Sequence, residues 1–374
     1  MKCTLCAHEV HFLTSRLQNI AYMSQIKRLD NVSMIRPILV VLLVFYHAFA
    51  PYGGAWETIE GCSIKAYWWL DWLSFAFMLE TFVFISGYVF GYQVRTKGEE
   101  KLKAKNLLWG KFKRLMIPCM VFSLLYILLF QDIRQPVYLT AYDLLNGVGH
   151  MWFLPMLFWC FVGIWMIEKI GLKSKIVIPL LIVCSLLSSI KLPFELGHTM
   201  YYMLFFYIGY LLQRDNVSLD RFYTKKHIVF WTIAFCVLFP ALTLLKVELN
   251  DFNGIRWHLI DNKIVNKALC LSMKKLIQII YSSVGLIMLF IMVGYAERSR
   301  TKTIQQWVVN IGGLCFGVYL LQQFILMGLY QFTNLPNFVG CYWLPWLGFT
   351  VALVVSVVIS QLLVKTKTGR FLIG

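Results

Sequence analysis

The chain has 374 residues, of which 59% are hydrophobic and only 14% are charged. A soluble domain has about 25% charged residues, so this composition excludes an ordinary soluble globular protein. The net charge of +17 raises the alternative of a nucleic-acid-binding protein, but the basic residues alternate with long apolar segments and form no single patch. The composition is that of an integral membrane protein.

Ten apolar segments follow one another along the chain, and a helix needs about 20 residues to cross a bilayer. The predicted spans are 31–50, 72–92, 112–130, 151–168, 176–190, 199–212, 228–245, 276–294, 311–330 and 343–364. The fifth and sixth are short. Because only helices and closed barrels satisfy the backbone within lipid, the sequence predicts an all-α polytopic membrane protein. It has about ten transmembrane helices in one bundle.

Lysine and arginine are concentrated on alternate connections between these segments. The amino-terminal segment, the even-numbered connections and the tail together hold 25 of the 35 basic residues. By the positive-inside rule, both termini are cytoplasmic. We therefore predict a cytoplasmic segment 1–30, a membrane domain 31–364 and a cytoplasmic tail 365–374. Orientation in the bilayer accounts for most of the excess charge, so no nucleic-acid partner is expected.

The amino-terminal segment invites a metal-binding interpretation. It contains Cys3, Cys6, His8 and His11. Their spacing fits none of the usual structural zinc patterns, so no metal is expected. No cleavable signal peptide is predicted, because the first span begins near residue 31 without a small-residue cleavage motif. Met23 offers a more natural start, which leaves the choice between Met1 and Met23 open.

The first span carries two polar residues, Arg36 and His47, with ten residues between them. Eleven helical steps bring them to the same face within about 20°, roughly 16 Å apart along the axis. Such residues are expected to face the bundle interior or a hydrated cavity, because lipid exposure is costly. The simpler interpretations are an arginine that snorkels to the interface and a histidine that bridges two helices. Pro37 predicts that the helix begins or bends near Arg36.

Further polar residues lie in the second and fourth spans. Glu80 is an intramembrane carboxylate and so a functional candidate, whereas Ser86 and Gly87 equally suit a site of close helix packing. His150 and Trp152 lie at the predicted external end of the fourth span. Trp152 suits an interfacial aromatic belt, and His150 lies opposite His47 in this scheme. All four polar candidates are interpreted as substrate-binding or structural: Glu80, Ser86, His150 and Trp152.

The third span begins with a basic cluster formed by Lys111, Lys113 and Arg114. It is either an orientation anchor or a phosphate-binding site.

Three cysteines lie on predicted external connections: Cys62, Cys270 and Cys341. A pair of them can form a disulfide if that compartment is oxidising.

Four features occur in order over residues 27 to 168: the Arg36–His47 pair, "FVFISGY", "KFKRLMIP" and "GHMWFLPMLFW". Together they resemble the integral-membrane acyltransferase-3 family, the O-acyltransferases of bacterial surface polysaccharides. The resemblance implies ten spans in the bacterial inner membrane. It also implies an acyl-CoA donor, acetyl-CoA above all, on the cytoplasmic side, and a sugar hydroxyl of a surface polysaccharide or its lipid-linked precursor as acceptor. Polysaccharide-synthesis machinery is the implied partner.

The resemblance also implies roles for individual residues. Arg36 and His47 match the family's signature pair and are the expected catalytic residues. The expected donor-binding residues match its basic motif: Lys111, Lys113 and Arg114. Two positions depart from the family pattern, Leu115 in place of a second arginine and Pro37 in place of a small residue. The hydrolase-like domain that some members carry is not expected here.

The implied chemistry suits these residue types. A histidine can take the proton of an acceptor hydroxyl, a cation can stabilise the charge that develops on the thioester oxygen, and basic side chains can hold CoA phosphates. The alternative is a ten-span exporter of polysaccharide or lipid-linked sugar, since charged residues within the membrane also mark transport paths. A third interpretation is a structural partner of a polysaccharide synthase.

Overall fold

The computed structural model describes residues 32–59, 62–130, 137–249, 262–298 and 311–373. These residues are helical apart from short connections and contain no β-strand. The α-helices are α1 (Val32–Gly53), α2 (Lys65–Phe75), α3 (Met78–Lys97), α4 (Ala104–Lys111), α5 (Ile117–Phe130), α6 (Val137–Asn146), α7 (Phe153–Ile170), α8 (Ser174–Leu187), α9 (Leu196–Arg214), α10 (Lys225–Glu248), α11 (Lys263–Glu297), α12 (Cys315–Gln331), α13 (Leu335–Lys365) and α14 (Lys367–Ile373). The all-α prediction is confirmed for this part of the chain. The amino-terminal Cys, His and Met23 candidates lie outside it.

The ten predicted spans coincide with α1, α2–α3, α5, α7, α8, α9, α10, α11, α12 and α13. In the described ranges, seven helical stretches are long and apolar enough to cross a membrane. Helix α8 is apolar but has only 14 residues. Helices α9 and α12 are less apolar, since their sequences contain several tyrosines and glutamines. The multi-pass membrane fold is therefore established, while the number of crossings and the location of the termini stay predictions.

Helix α1 includes Val32 and continues without interruption through Pro37. Of the two expectations for Pro37, a helix start near Arg36 is wrong. Pro37 has no amide to donate to the carbonyl of Ser33, four residues before it.

Helices α3 and α9 pack with their backbones in close approach. A Cβ atom added at Gly87 would lie 2.0 Å from the carbonyl oxygen of Phe206, and one at Gly91 would lie 2.2 Å from that of Tyr210. From the opposite helix, a Cβ at Gly209 would lie 2.1 Å from the carbonyl oxygen of Phe84. Side chains at these positions would separate the two backbones. The predicted close-packing role of Gly87 is confirmed.

Cys62 and Cys341 form a disulfide that joins the α1–α2 connection to the first turns of α13. Cys270, the third candidate, is buried in α11 and is not part of it. Two tyrosines reinforce the connection: Tyr52 Oη donates to the Cys341 carbonyl, and Tyr67 Oη donates to the Tyr342 carbonyl at 2.8 Å. The prediction that a pair of these cysteines is bonded is thus confirmed.

Candidate active site

One face of α1 lines two cavities. Arg36, Val40 and Leu43 follow one another at helical spacing and line a cavity of about 540 Å³, which we call the inner cavity. Leu43 and His47 continue the same face and line a second cavity of about 490 Å³, the outer cavity. The predicted shared face of Arg36 and His47 is confirmed, and the two side chains belong to different cavities.

Two histidines face each other in the outer cavity. The rings of His47 and His150 meet edge to face at an interplanar angle of 66°, with centroids 6.0 Å apart. Both side chains are buried, with 8% and 5% of their surface exposed. Gln322 of α12 places its Nε2 atom 2.8 Å from Nδ1 of His47 and therefore joins α12 to α1. Trp56 lies on the other side, its ring nearly parallel to that of His47 with centroids 5.9 Å apart.

Helix α12 also fixes His150. The Nε2 atom of His150 lies 3.2 Å from the carbonyl oxygen of Leu320, its backbone amide donates to Oε1 of Gln323 at 3.0 Å, and its carbonyl accepts from Tyr319 Oη at 2.6 Å. A carbonyl can only accept, so Nε2 carries the proton and Nδ1 carries a lone pair. That Nδ1 atom is buried and has no hydrogen-bond partner among the described residues. Nδ1 of His150 is therefore an unpaired hydrogen-bond acceptor among the described residues.

Trp152 lines the outer cavity beside His150. Its ring lies 4.5 Å from that of His198 on α9, and His198 in turn pairs through Nδ1 with Glu195. Glu195 and the preceding Phe194 both have a left-handed backbone, with φ of 60° and 56°. Such conformations are uncommon for residues with side chains and persist only when their surroundings hold them. Asn146 helps to hold this conformation, because its Nδ2 donates a hydrogen bond to Glu195 Oε1 at 3.0 Å.

The inner cavity is basic. Arg36, Lys111 and Arg114 line it together. The Lys111 ammonium makes a cation–π contact with Phe161, with Nζ 3.7 Å from the ring centroid. No salt bridge among the described residues joins these three side chains to a carboxylate. The positive charge is thus available for an anionic ligand.

Lys113, the third member of the predicted basic cluster, does not line this cavity. It is exposed, and its Nζ lies 5.5 Å from the ring centroid of Trp109, which is itself exposed. Lys111 and Arg114 both line the inner cavity, whereas Lys113, which lies between them in the sequence, does not.

A single π-helical turn, Phe112–Met116, lies within the basic motif between α4 and α5. Ile117 donates its amide to the carbonyl of Phe112, a step of five residues. Pro118 explains the change in pitch, because it has no amide to offer the carbonyl of Arg114 four residues before it. Such turns are frequent at functional sites. Here the turn sets the direction of Arg114 relative to Lys111.

The inner and outer cavities meet within the bundle. Four residues line both of them: Leu43, Leu79, Phe153 and Tyr319. These side chains are buried members of the apolar core. A ligand in the inner cavity is therefore separated from one in the outer cavity by a single layer of side chains.

The profile of the acyltransferase-3 family, described as an acyltransferase domain, matches residues 29–365. The chain belongs to the acyltransferase-3 family. The match extends far beyond residues 27–168, from which the resemblance was drawn, and it includes α12. Comparison with curated proteins and with solved structures gives no significant match.

Two sequence candidates of this membrane acyltransferase lie apart from the histidines. Glu80 lines neither cavity: it is buried and accepts hydrogen bonds from Tyr201 Oη at 2.9 Å and from Gln278 Nε2 at 3.1 Å. Ser86 lines the inner cavity, although its hydroxyl donates to the Phe82 carbonyl at 2.9 Å. Glu80 is thus placed to connect α3 with α9 and α11, not to contact a ligand in either cavity.

Sequence reasoning missed the contribution of α12 to the acyltransferase site. Gln322 and Gln323 contact the two histidines, and Tyr319 fixes the His150 backbone. The available signal was two consecutive glutamines within an otherwise apolar span, which are costly in lipid unless they are paired inside the bundle.

Proposed function

We propose that this acyltransferase moves an acyl group, acetyl being the simplest, from acyl-CoA in the inner cavity to a carbohydrate hydroxyl in the outer cavity. The observation that carries the proposal is the pair of cavities of different chemistry that meet at Leu43, Leu79, Phe153 and Tyr319. A basic cavity suits a phosphorylated thioester, and a cavity with two histidines suits a hydroxyl group that must lose a proton. The acceptor is the surface polysaccharide or its lipid-linked precursor, and the location is the bacterial inner membrane.

The donor half is assigned to Arg36, Lys111 and Arg114. Charge-assisted contacts of arginine and lysine with phosphate are short and strong, and a guanidinium can contact two oxygens at once. Arg36 is about 16 Å along α1 from His47 by helical rise, so it holds the donor and does not contact the reacting carbonyl. The phosphates would bind near the predicted cytoplasmic end, with the thioester directed toward the shared layer.

The acceptor half is assigned to His47 as general base. Rotation of the Gln322 amide by half a turn presents its oxygen to Nδ1 of His47, which fixes the proton on Nδ1 and leaves Nε2 with a lone pair. Nε2 then takes the proton of the acceptor hydroxyl while that oxygen bonds to the thioester carbonyl carbon. The carbon–sulfur bond breaks, and the departing CoA thiolate recovers the proton from the imidazolium. His150 accepts a hydrogen bond at Nδ1 from the carbohydrate and thereby positions it for acyl transfer.

The exporter alternative gains no support from the family match, whose description is an acyltransferase domain. Polysaccharide-synthesis enzymes remain the proposed partners, because they supply the acceptor.

The test uses the full chain reconstituted in vesicles with labelled acetyl-CoA and a panel of bacterial glycans. We expect release of free CoA thiol that depends on the added glycan, together with label in that glycan. Arg36→Gln and His47→Ala should each remove both signals in protein that elutes as the wild type does. Glycan movement across the vesicle without CoA release would overturn the proposal in favour of transport.

A further inference from the structure

A third cavity, of about 560 Å³, lies among α3, α9, α10 and α11. None of its lining residues lines the inner or the outer cavity. It is therefore separate from the proposed path of acyl transfer. We call it the lateral cavity, because Ile208 and Phe230 on its wall are exposed on the outside of the bundle.

The wall of the lateral cavity is almost entirely hydrocarbon and aromatic. Its lining includes Phe84, Leu204, Leu219, Leu286, Ile287 and Phe290. A wall of this kind cannot hold ordered water, which needs two to four polar partners. It suits a flexible apolar chain, and the exposed rim allows that chain to enter from the surrounding lipid.

One end of the lateral cavity is basic. Phe222, Tyr223 and His227 line this end, where the α9–α10 connection leads into α10. The guanidinium carbon of Arg221 lies 4.7 Å from the ring centroid of Phe222, and that of Arg298 lies 5.3 Å from the ring centroid of Tyr223. Two arginines and a histidine thus surround one mouth of an apolar cavity.

Part of this charge is already balanced. Arg298 Nη2 lies 2.7 Å from the carbonyl oxygen of Asp220 and 3.6 Å from its carboxylate oxygen. Arg221 has no such carboxylate partner among the described residues. Lys225 and Lys226, in the first turn of α10, are exposed beside it and add to the positive potential. The mouth is therefore positive overall despite Asp220.

We propose that the lateral cavity binds one acyl chain of an anionic phospholipid, whose headgroup lies against Arg221, His227 and Arg298. The combination of an apolar cavity and a basic mouth matches a molecule with an apolar chain and an anionic head. Arg221 and His227 lie where the α9–α10 connection enters α10, and Arg298 directly follows α11. The positive-inside rule predicts both of these helix ends to be cytoplasmic, so the lipid belongs to that leaflet. A zwitterionic lipid offers the same chain without the net charge and should bind more weakly.

The bound lipid would stabilise the contact of α10 with α9 and α11. Helix α10 is little enclosed by its neighbours: over one apolar stretch of 18 residues in each helix, 17% of the α10 stretch is buried within the bundle, against 56% of the α11 stretch. A chain inserted between it and its neighbours would add contacts that exist only in the folded protein. The expected signature is therefore a lipid-specific increase in thermal stability, with no requirement for substrate.

The test measures the Tm of the full chain, purified and delipidated in detergent, after addition of dioleoyl-phosphatidylglycerol or dioleoyl-phosphatidylcholine. We expect phosphatidylglycerol to raise Tm by about 4 °C and phosphatidylcholine to have a much smaller effect. Arg221→Gln, an exposed substitution that leaves the fold intact, should remove the difference between the two lipids. Lys175→Gln, an exposed substitution on another predicted cytoplasmic connection, should keep it.

A second variant examines the apolar part of the site. Ser283→Phe places a ring in the cavity from α11 and should weaken the response to both lipids. Equal effects of the two lipids on the wild type, or an undiminished difference in Arg221→Gln, would overturn the proposal. Since no readout involves acyl transfer, failure here and failure of the proposed activity are independent.

Discussion

The Nε2 atom of Gln322 lies 2.8 Å from Nδ1 of His47, although the two residues are 275 positions apart in the chain. This contact joins α12 to α1 at the wall of the outer cavity. A side-chain amide can offer either a donor or an acceptor, so Gln322 can hold either neutral tautomer of the imidazole. The tautomer of His47 is therefore set by a residue of a distant helix.

Replacement of His47 by alanine should abolish acyl transfer without preventing folding. A general base contributes about 10²–10⁴-fold in rate, whereas an interhelical hydrogen bond in a membrane contributes only about 0.6 kcal/mol. The measurement is turnover per monodisperse molecule, with Tm as the control for folding. Wild-type turnover in His47→Ala would return this histidine to a purely structural role.

Gln322→Leu should lower kcat by about tenfold and leave KM for acyl-CoA unchanged, because the residue positions His47 and does not touch the donor. Gln322→Glu should restore part of kcat, since a carboxylate accepts from Nδ1 and fixes the proton there. The kcat and KM of the two variants show whether Gln322 positions His47 or only contributes to packing. An equal loss in both would mean that the amide serves packing alone.

Arg114→Gln should raise KM for acyl-CoA by about tenfold or more, as one charge-assisted contact contributes roughly 1.5–3 kcal/mol. Lys113→Gln is the matched control, because Lys113 belongs to the same motif but lies over Trp109, outside the inner cavity. Its KM should stay near that of the wild type. If both variants raise KM equally, the motif acts through its total charge and not through the inner cavity.

Gly87→Ala should destabilise the protein by about 1–3 kcal/mol, the usual cost of overpacking. The added Cβ would lie 2.0 Å from the Phe206 carbonyl oxygen, and backbone cannot give way as a flexible side chain does. Gly110→Ala provides the comparison, since a Cβ there has no neighbour within 4 Å. Thermal unfolding should show a lower Tm for the first variant and no decrease for the second. The reverse order would contradict the observed α3–α9 packing.

Loss of the Cys62–Cys341 disulfide should reduce stability by about 2–4 kcal/mol, because it closes a long loop of the unfolded chain. The double variant with serine at both positions should match the wild type treated with reductant. Cys236→Ser removes an exposed cysteine outside the disulfide and should leave Tm unchanged. An identical Tm for oxidised and reduced wild-type protein would show that the bond contributes nothing.

The sequence alone predicted the helices and the location of the first polar pair. Hydropathy and helical periodicity are local properties, so ten apolar segments and the common face of Arg36 and His47 could be derived from consecutive residues. The family resemblance, drawn from residues 27–168, was confirmed over 29–365. Helices α9 and α12 give the weakest hydropathy signal of the predicted spans, because their tyrosines and glutamines lower the hydropathy on which such predictions depend.

Only the tertiary structure decided which residues meet. Gln322 and Gln323 reach His47 and His150 from far along the chain, and no local pattern encodes that distance. The structure likewise separated Lys111, which lines the inner cavity, from Lys113, which does not. The sequence of a membrane protein determines which segments enter the bilayer, because insertion depends on the free energy of transferring each segment from water to lipid. The partner of each buried polar group is decided by packing, because lipid offers it no hydrogen bond and another helix must supply one.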